Sequence, residues 1–221
     1  MALFGKQLGV DLGSVNTLIC DGGEIVLHEP TMVAVDVEQM KIVEVGQAAR
    51  EMDGRVPEMI EVMRPVREGV IAEFEVTMRM LRIYVEKVCG PARLFKPRVM
   101  ITVPYGVTSV ESRAVHEAAL QAGSREVHLI QEPLAAAIGV GLPIATPSGN
   151  LVVVLGGGVT QAAVMAMSGI VVAHSVRVGG SKVDDALASY VRRKYGLLIS
   201  QRTAEEAKIR IGAALPEEEE R

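Results

Sequence analysis

The chain has 221 residues, 49% hydrophobic and 23% charged, enough apolar content to bury a core in one or two domains and too much for wholesale disorder. Formal net charge is −4, and with the acidic run 217–220 set aside, acids and bases balance at 23 each. With aromatics at 3% and no Trp, the chain has neither the field nor the stacking platforms expected of a nucleic-acid binder.

The first residues, MALFGKQLGVDLG, have no apolar core of signal-peptide length. The longest run free of charged and polar side chains, 133–145, contains Gly and Pro and falls short of the roughly 18 residues that span a bilayer. A cytoplasmic protein is expected, with Cys20 and Cys89 as small buried hydrophobes in a reducing compartment. No C-x-x-C occurs and the four His are scattered, which argues against a metal centre built on them. Leu3 and Phe4 either open a buried first strand or dip into a membrane surface.

Residues 7–12 and 17–20 read as strands around the tight turn Gly13-Ser14-Val15-Asn16. Asp21-Gly22-Gly23 is a second turn before a strand over 24–28. Strands follow at 32–36 and 42–45, then a short helix at 48–52. Apolar residues at 76, 80, 81, 84, 85 and 88 have helical spacing. A buried strand over 98–103 ends at Pro104, and a helix from Ser109 to Gly123 takes Ser109 and Ser112 as its capping residues. A strand at 127–130 leads into a short Ala-rich helix opened by Glu132-Pro133. Strands at 151–155, 162–167 and 170–176 precede helices over 183–195 and 204–214. Long apolar strands alternating with helices predict an α/β architecture, its sheet covered on both faces.

The chain also matches itself. LGVDLGSVNTLI resembles VVVLGGGVTQAA, and Gly13 corresponds to Gly156 and Thr17 to Thr160 at one offset of 143 residues. This predicts a duplicated core with a boundary near Pro147-Ser148-Gly149. Glycine-rich hairpin tips let backbone N–H groups approach an anion because no Cβ intervenes, and hydroxyls at Ser14, Thr17 and Thr160 add donors. Two tips facing each other could clamp a triphosphate; two plain tight turns are the alternative. Asp11 could hold Mg²⁺ through water or cap its own turn. Glu132 could orient a water for attack or simply favour a helix start. Walker A and G-x-G-x-x-G phosphate loops are absent.

DLGSVNT, QEPLAAAIG, LGGGVT and RTAEEAKIRIG resemble the superfamily of actin, heat-shock chaperone and sugar kinase ATPases. EPTMVAVD, VGQAARE, RPVREGVIAEFEVT, ITVPYGVTSVE and GLLISQRTAEEAKIRIG narrow the resemblance to its bacterial MreB branch, over nearly the whole chain. The resemblance implies an actin-like ATPase fold of duplicated ribonuclease H-like domains. The first would span 1–147, with a small outer subdomain near 30–75, and an incomplete second 148–221. It implies ATP and Mg²⁺ in the central cleft. It also implies filaments, peripheral membrane contact and partners in cell-shape control and cell-wall synthesis.

Carried over by position, Asp11, Gly13, Ser14, Val15 and Asn16 form the first phosphate loop, with Asp11 on the metal through water. Gly156, Gly157, Gly158 and Thr160 form the second, and Glu132 is the water-orienting acid. Glu205 and Lys208 reach the nucleotide's sugar, unless they form an exposed helix ion pair with each other.

The chain departs from the family pattern at several points. Ser14 stands where Thr is usual, and Gln131 replaces the acid before Glu132. Val154 and Gln161 stand where the second loop usually carries acids, and Ser181 where an acid follows two glycines. Family members also continue well beyond residue 221, so the adenine pocket is expected to be incomplete. The resemblance and these departures together imply an ATP-binding, cell-shape-determining filament subunit with impaired hydrolysis. The alternative is a scaffold or regulator that no longer binds nucleotide.

Overall fold

The computed structural model describes residues 5–90 and 95–215; Leu3, Phe4 and the acidic run 217–220 lie outside them. β1 (Gln7–Leu12), β2 (Asn16–Asp21) and β3 (Glu24–Pro30) form an antiparallel meander. Gly22 and Gly23, both at positive φ, turn β2 into β3. β4 (Val33–Asp36), β5 (Lys41–Val45) and β6 (Ile60–Met63), with α1 (Gln47–Met52), make a separate small sheet in the order β5-β4-β6. Its own core is Met32, Ala34 and Ala49. The hairpin β7 (Val66–Arg67) and β8 (Val70–Ile71) leads back into α2 (Phe74–Cys89).

β9 (Arg98–Val103), α3 (Ser109–Gln121) and β10 (Glu126–Gln131) complete the first large sheet, ordered β10-β9-β1-β2-β3. β9 is parallel to both β1 and β10. Alternation along β1 points Leu8, Val10 and Leu12 to one face, where they pack with Val99, Ile101 and Val103 against Met80, Leu81 and Tyr84 of α2 and Val115 and Ala118 of α3. The buried Tyr84 hydroxyl donates to the Pro30 carbonyl at 3.0 Å, so the phenol enters the core with its polar atom satisfied.

α4 (Glu132–Gly139) leads to the second sheet, β11 (Asn150–Leu155), β12 (Thr160–Ala166) and β13 (Gly169–Val176), all antiparallel. Ala137 of α4 packs on Ala163 and Met165. α5 (Gly180–Tyr195) and α6 (Gln201–Ile211) follow.

Three expectations need correction. The second sheet is covered on one face among the described residues: Leu151, Val153 and Leu155 alternate away from α4 and are 64%, 53% and 79% exposed. Thr108, not Ser109 or Ser112, caps α3; its hydroxyl accepts from Glu111 N while the Glu111 carboxylate accepts from Thr108 N, a reciprocal capping box. Cys20 and Cys89 are half-buried, not buried. Cys20 lies opposite Gly9, and its sulfur fills the space a Gly9 side chain would need. The extra strands β6 to β8 carry too few alternating apolar residues to be read from pattern.

Candidate functional site

The internal match is a structural repeat down to its hydrogen bonds. In the first copy Leu12 pairs with Thr17 and Asp11 with Leu18; in the second Leu155 pairs with Thr160 and Val154 with Gln161. Gly13 N donates to Asn16 O at 3.1 Å, and Gly156 N to Val159 O at 2.9 Å. Each tip is a tight turn closed by the same bond.

The tips face and touch each other. A Cβ added to Gly157 would lie 2.1 Å from Val15 Cγ2, and one added to Gly158 would lie 2.4 Å from the Ser14 hydroxyl oxygen. Only glycine permits this approach. The start of α5 seals the second tip from behind. Gly180 N donates to Gly156 O at 3.0 Å and Ser181 N to Gly157 O at 2.9 Å, and a Cβ on Gly179 would strike Gly156 O at 2.5 Å. Beside the tips opens a cleft of about 420 Å³, within the roughly 300–1,000 Å³ range of small-molecule sites. Ser14, Val15, Gly157, Gly158, Ser181 and Glu205 are among its walls.

The remaining sequence-predicted residues divide into those the fold gathers elsewhere and those it leaves in the turns. Asp11, Glu132 and Gln161 gather at the ends of β1, β10 and β12, apart from the cleft walls. Thr102 donates to Asp11 Oδ1 at 2.7 Å. The buried Gln161 amide is used at both ends: its Oε1 accepts from Tyr105 N at 2.6 Å and its Nε2 donates to Glu132 Oε2. Burial, and then the Asp11 carboxylate, push the Glu132 carboxyl above the ordinary glutamate range, against the Gln161 amide, which favours ionisation. Val154 pairs with Gln161 and adds no charge there. No group of three or more His, Cys, Asp or Glu suited to a metal exists among the described residues.

Gly13, Asn16, Gly156 and Thr160 shape the turns without lining the cleft. Thr17 is fully buried and its hydroxyl bonds that of Thr31 at 2.9 Å, so it is not an anion donor. Glu205 and Lys208 do not pair with each other. Glu205 meets Arg50 of α1 at 2.8 Å across the cleft, and Lys208 grips Asp184 at 2.8 Å and the Gly180 carbonyl at 3.1 Å. A second cross-cleft pair joins Lys182 to Glu68 at 3.0 Å. Arg50, Arg64, Glu68 and Lys182 were not legible as site residues. Arg50 lies in VGQAARE, and Arg64 and Glu68 in RPVREG, but only folding carries them to the cleft.

A strand–turn–strand core present twice, with touching glycine tips, a cleft beside them and a small outer sheet on one copy, is the architecture of the actin-like proteins. MreB5 of Spiroplasma citri, solved bound to ADP, superposes with a TM-score of 0.90 at 31% identity, over 98% of this chain and 65% of that one. The profile of the MreB/Mbl protein family matches residues 5–221, and the chain belongs to that family. It is 46% identical to the cell shape-determining protein MreB of Escherichia coli over 225 aligned positions, 99% of this chain. It is 44% identical to the cell shape-determining protein Mbl of Bacillus cereus over 215, 97% of this chain. In both comparisons the chain spans 65% of the relative's length.

Proposed function

We propose that the chain is an ATP-binding, actin-like filament subunit in cell-shape determination, with slowed hydrolysis. The observation that carries this reading is the contact between the duplicated glycine tips beside a cleft of ligand size. The glycines at 157 and 158 let the two tips meet, and residues of both tips line the cleft beside that contact, where their backbone is suited to a nucleotide's polyphosphate.

Ser14, Val15, Gly157 and Gly158 would hold the phosphates, and Glu205 and Lys208 of α6 would reach the sugar. Asp11 would hold Mg²⁺ through water, as that ion keeps most of its hydration shell; the bound ion would supply charge neutralisation at the phosphates. Glu132 would orient a water, but the Gln161 amide already occupies one of its oxygens. With Val154 beside it, the cluster has two carboxylates where the family pattern has more. That supports slow turnover.

Self-association into filaments, cell-wall synthesis partners and a cytoplasmic location with peripheral membrane contact complete the proposal. Among the described residues no helix is long and apolar enough to cross a membrane. Titrating purified protein with fluorescent ATP, with and without Mg²⁺, tests binding, and phosphate release tests turnover. Family-typical turnover would overturn the slowed-hydrolysis reading. Absence of binding would favour a second reading, a scaffold without nucleotide, which the occupied Glu132 and uncharged Val154 also support.

A further inference from the structure

Most cations on the walls of the cleft are neutralised by a neighbouring carboxylate. Arg50 meets Glu205, Lys182 meets Glu68 and Arg202 meets Glu206. Arg67 and Arg64 are not. Arg67 is exposed, so water solvates its charge. For Arg64, among the described residues no carboxylate lies within ion-pair distance. Its hydrogen bonds there are two long ones from a single nitrogen, Nη1, to Ser14 O at 3.4 Å and Val15 O at 3.3 Å. Nε and Nη2 donate to no protein acceptor among those residues. The side chain is half-buried, and burial holds its guanidinium below the ordinary arginine value, with Glu205 opposing. A partly desolvated charge without a counter-ion is costly, and an anion relieves that cost.

The chain that follows Arg64 is anchored. Arg64 precedes the β7–β8 hairpin, which is tied to both glycine tips. Gly69 N donates to the Ser14 hydroxyl oxygen at 2.9 Å, and Gly69 lies so close to Val159 that a Cβ on it would be 2.5 Å from Val159 Cγ2. Arg64 lines the same cleft as Ser14, Gly157 and Gly158, with the rest of its guanidinium donors unused by the described residues. A planar fork with free donors suits a phosphate better than a single-point cation does. We infer that Arg64 is an anion-binding residue of the cleft that takes the terminal phosphate of a bound nucleoside triphosphate. The assignment rests on the nucleotide reading above and adds a third wall, from the outer sheet, to the two tips.

The test compares wild type with Arg64→Gln and Arg64→Lys in titrations with fluorescent ATP, fluorescent ADP and inorganic tripolyphosphate, after circular dichroism shows both variants folded. Loss of a charge-assisted phosphate contact should weaken ATP about tenfold or more in Arg64→Gln. It should weaken ADP less, and Arg64→Lys should fall between. Unchanged ATP affinity in both variants overturns the Arg64 assignment and leaves the nucleotide reading standing. Equal losses for ATP and ADP overturn the terminal-phosphate assignment. Wild type that binds tripolyphosphate in an Arg64-dependent way but not ATP keeps the anion site and overturns the nucleotide reading; binding of neither overturns both. Should the variants not fold, phenylglyoxal modification of wild type read by mass spectrometry decides. ATP should slow modification of Arg64 but not of the highly exposed Arg113, and absence of protection overturns the inference.

Discussion

Gly157→Ala probes the contact on which the site depends. The new methyl would sit 2.1 Å from Val15 Cγ2 and 2.8 Å from Val15 Cβ, and the second of these is not a flexible end that can swing away. Either the tips separate or the β1–β2 turn shifts. Overpacking of this kind costs about 1–3 kcal/mol, and a chain of this size loses about 2–4 °C of Tm per kcal/mol. Differential scanning calorimetry should therefore show a fall of several degrees. Gly139→Ala is the control: it ends α4, has open space around it and is not at positive φ, so its Tm should hold or rise slightly. Val15→Ala removes Cγ2, so the Gly157→Ala, Val15→Ala double variant should lose less than the sum of the singles. A Gly157→Ala melt equal to wild type, or strictly additive singles, would mean that the tips do not touch.

Three further outcomes are expected. Glu132 keeps its proton to higher pH in the folded chain than in the unfolded one, so ionising it costs stability as pH rises from the ordinary glutamate range through the raised value. Glu132→Gln should therefore raise Tm above that window and leave it unchanged below, and a pH series of melts showing the reverse trend would contradict the assignment. Thr108→Ala removes the α3 cap and should cost about 1 kcal/mol in urea denaturation, with Thr108→Ser retaining most of it. A double-mutant cycle on Arg50 and Glu205, both partly exposed, should give a coupling of about 1 kcal/mol or less that shrinks with added salt; zero coupling at low salt would mean that the cleft is not bridged there.

Much of the fold was legible because its causes are local. The largely apolar run from Val99 to Val103, closed by Pro104, was legible as a strand, and the structure shows that Val99, Ile101 and Val103 are its buried face. The apolar positions of α2 repeat at helical spacing for the same reason. The cap of α3 is not legible in the sequence because Thr108, Ser109 and Ser112 all carry suitable hydroxyls, and only the backbone angles of Thr108 and the return bond from Glu111 select among them. The glycine tips were legible as turns and as a pair through their constant offset. That they touch was not, since contact between residues 143 positions apart depends on how two sheets are docked.

By itself, then, the sequence determined the periodicities, the turn positions, the duplication and the chemical types available near each turn. It also determined that Val154 and Gln161 bring no charge to the second copy. Tertiary structure decided what each polar group spends its hydrogen bonds on. It buried Thr17 against Thr31, separated Glu205 from Lys208 to pair with Arg50 and Asp184, and set the Gln161 amide on Glu132. It left Arg64 half-buried without an ion-pair partner among the described residues. The physical reason is range: backbone period and turn geometry are set by a few neighbouring residues. The partner of a buried charge is set by whichever distant segment packing brings within about 3 Å.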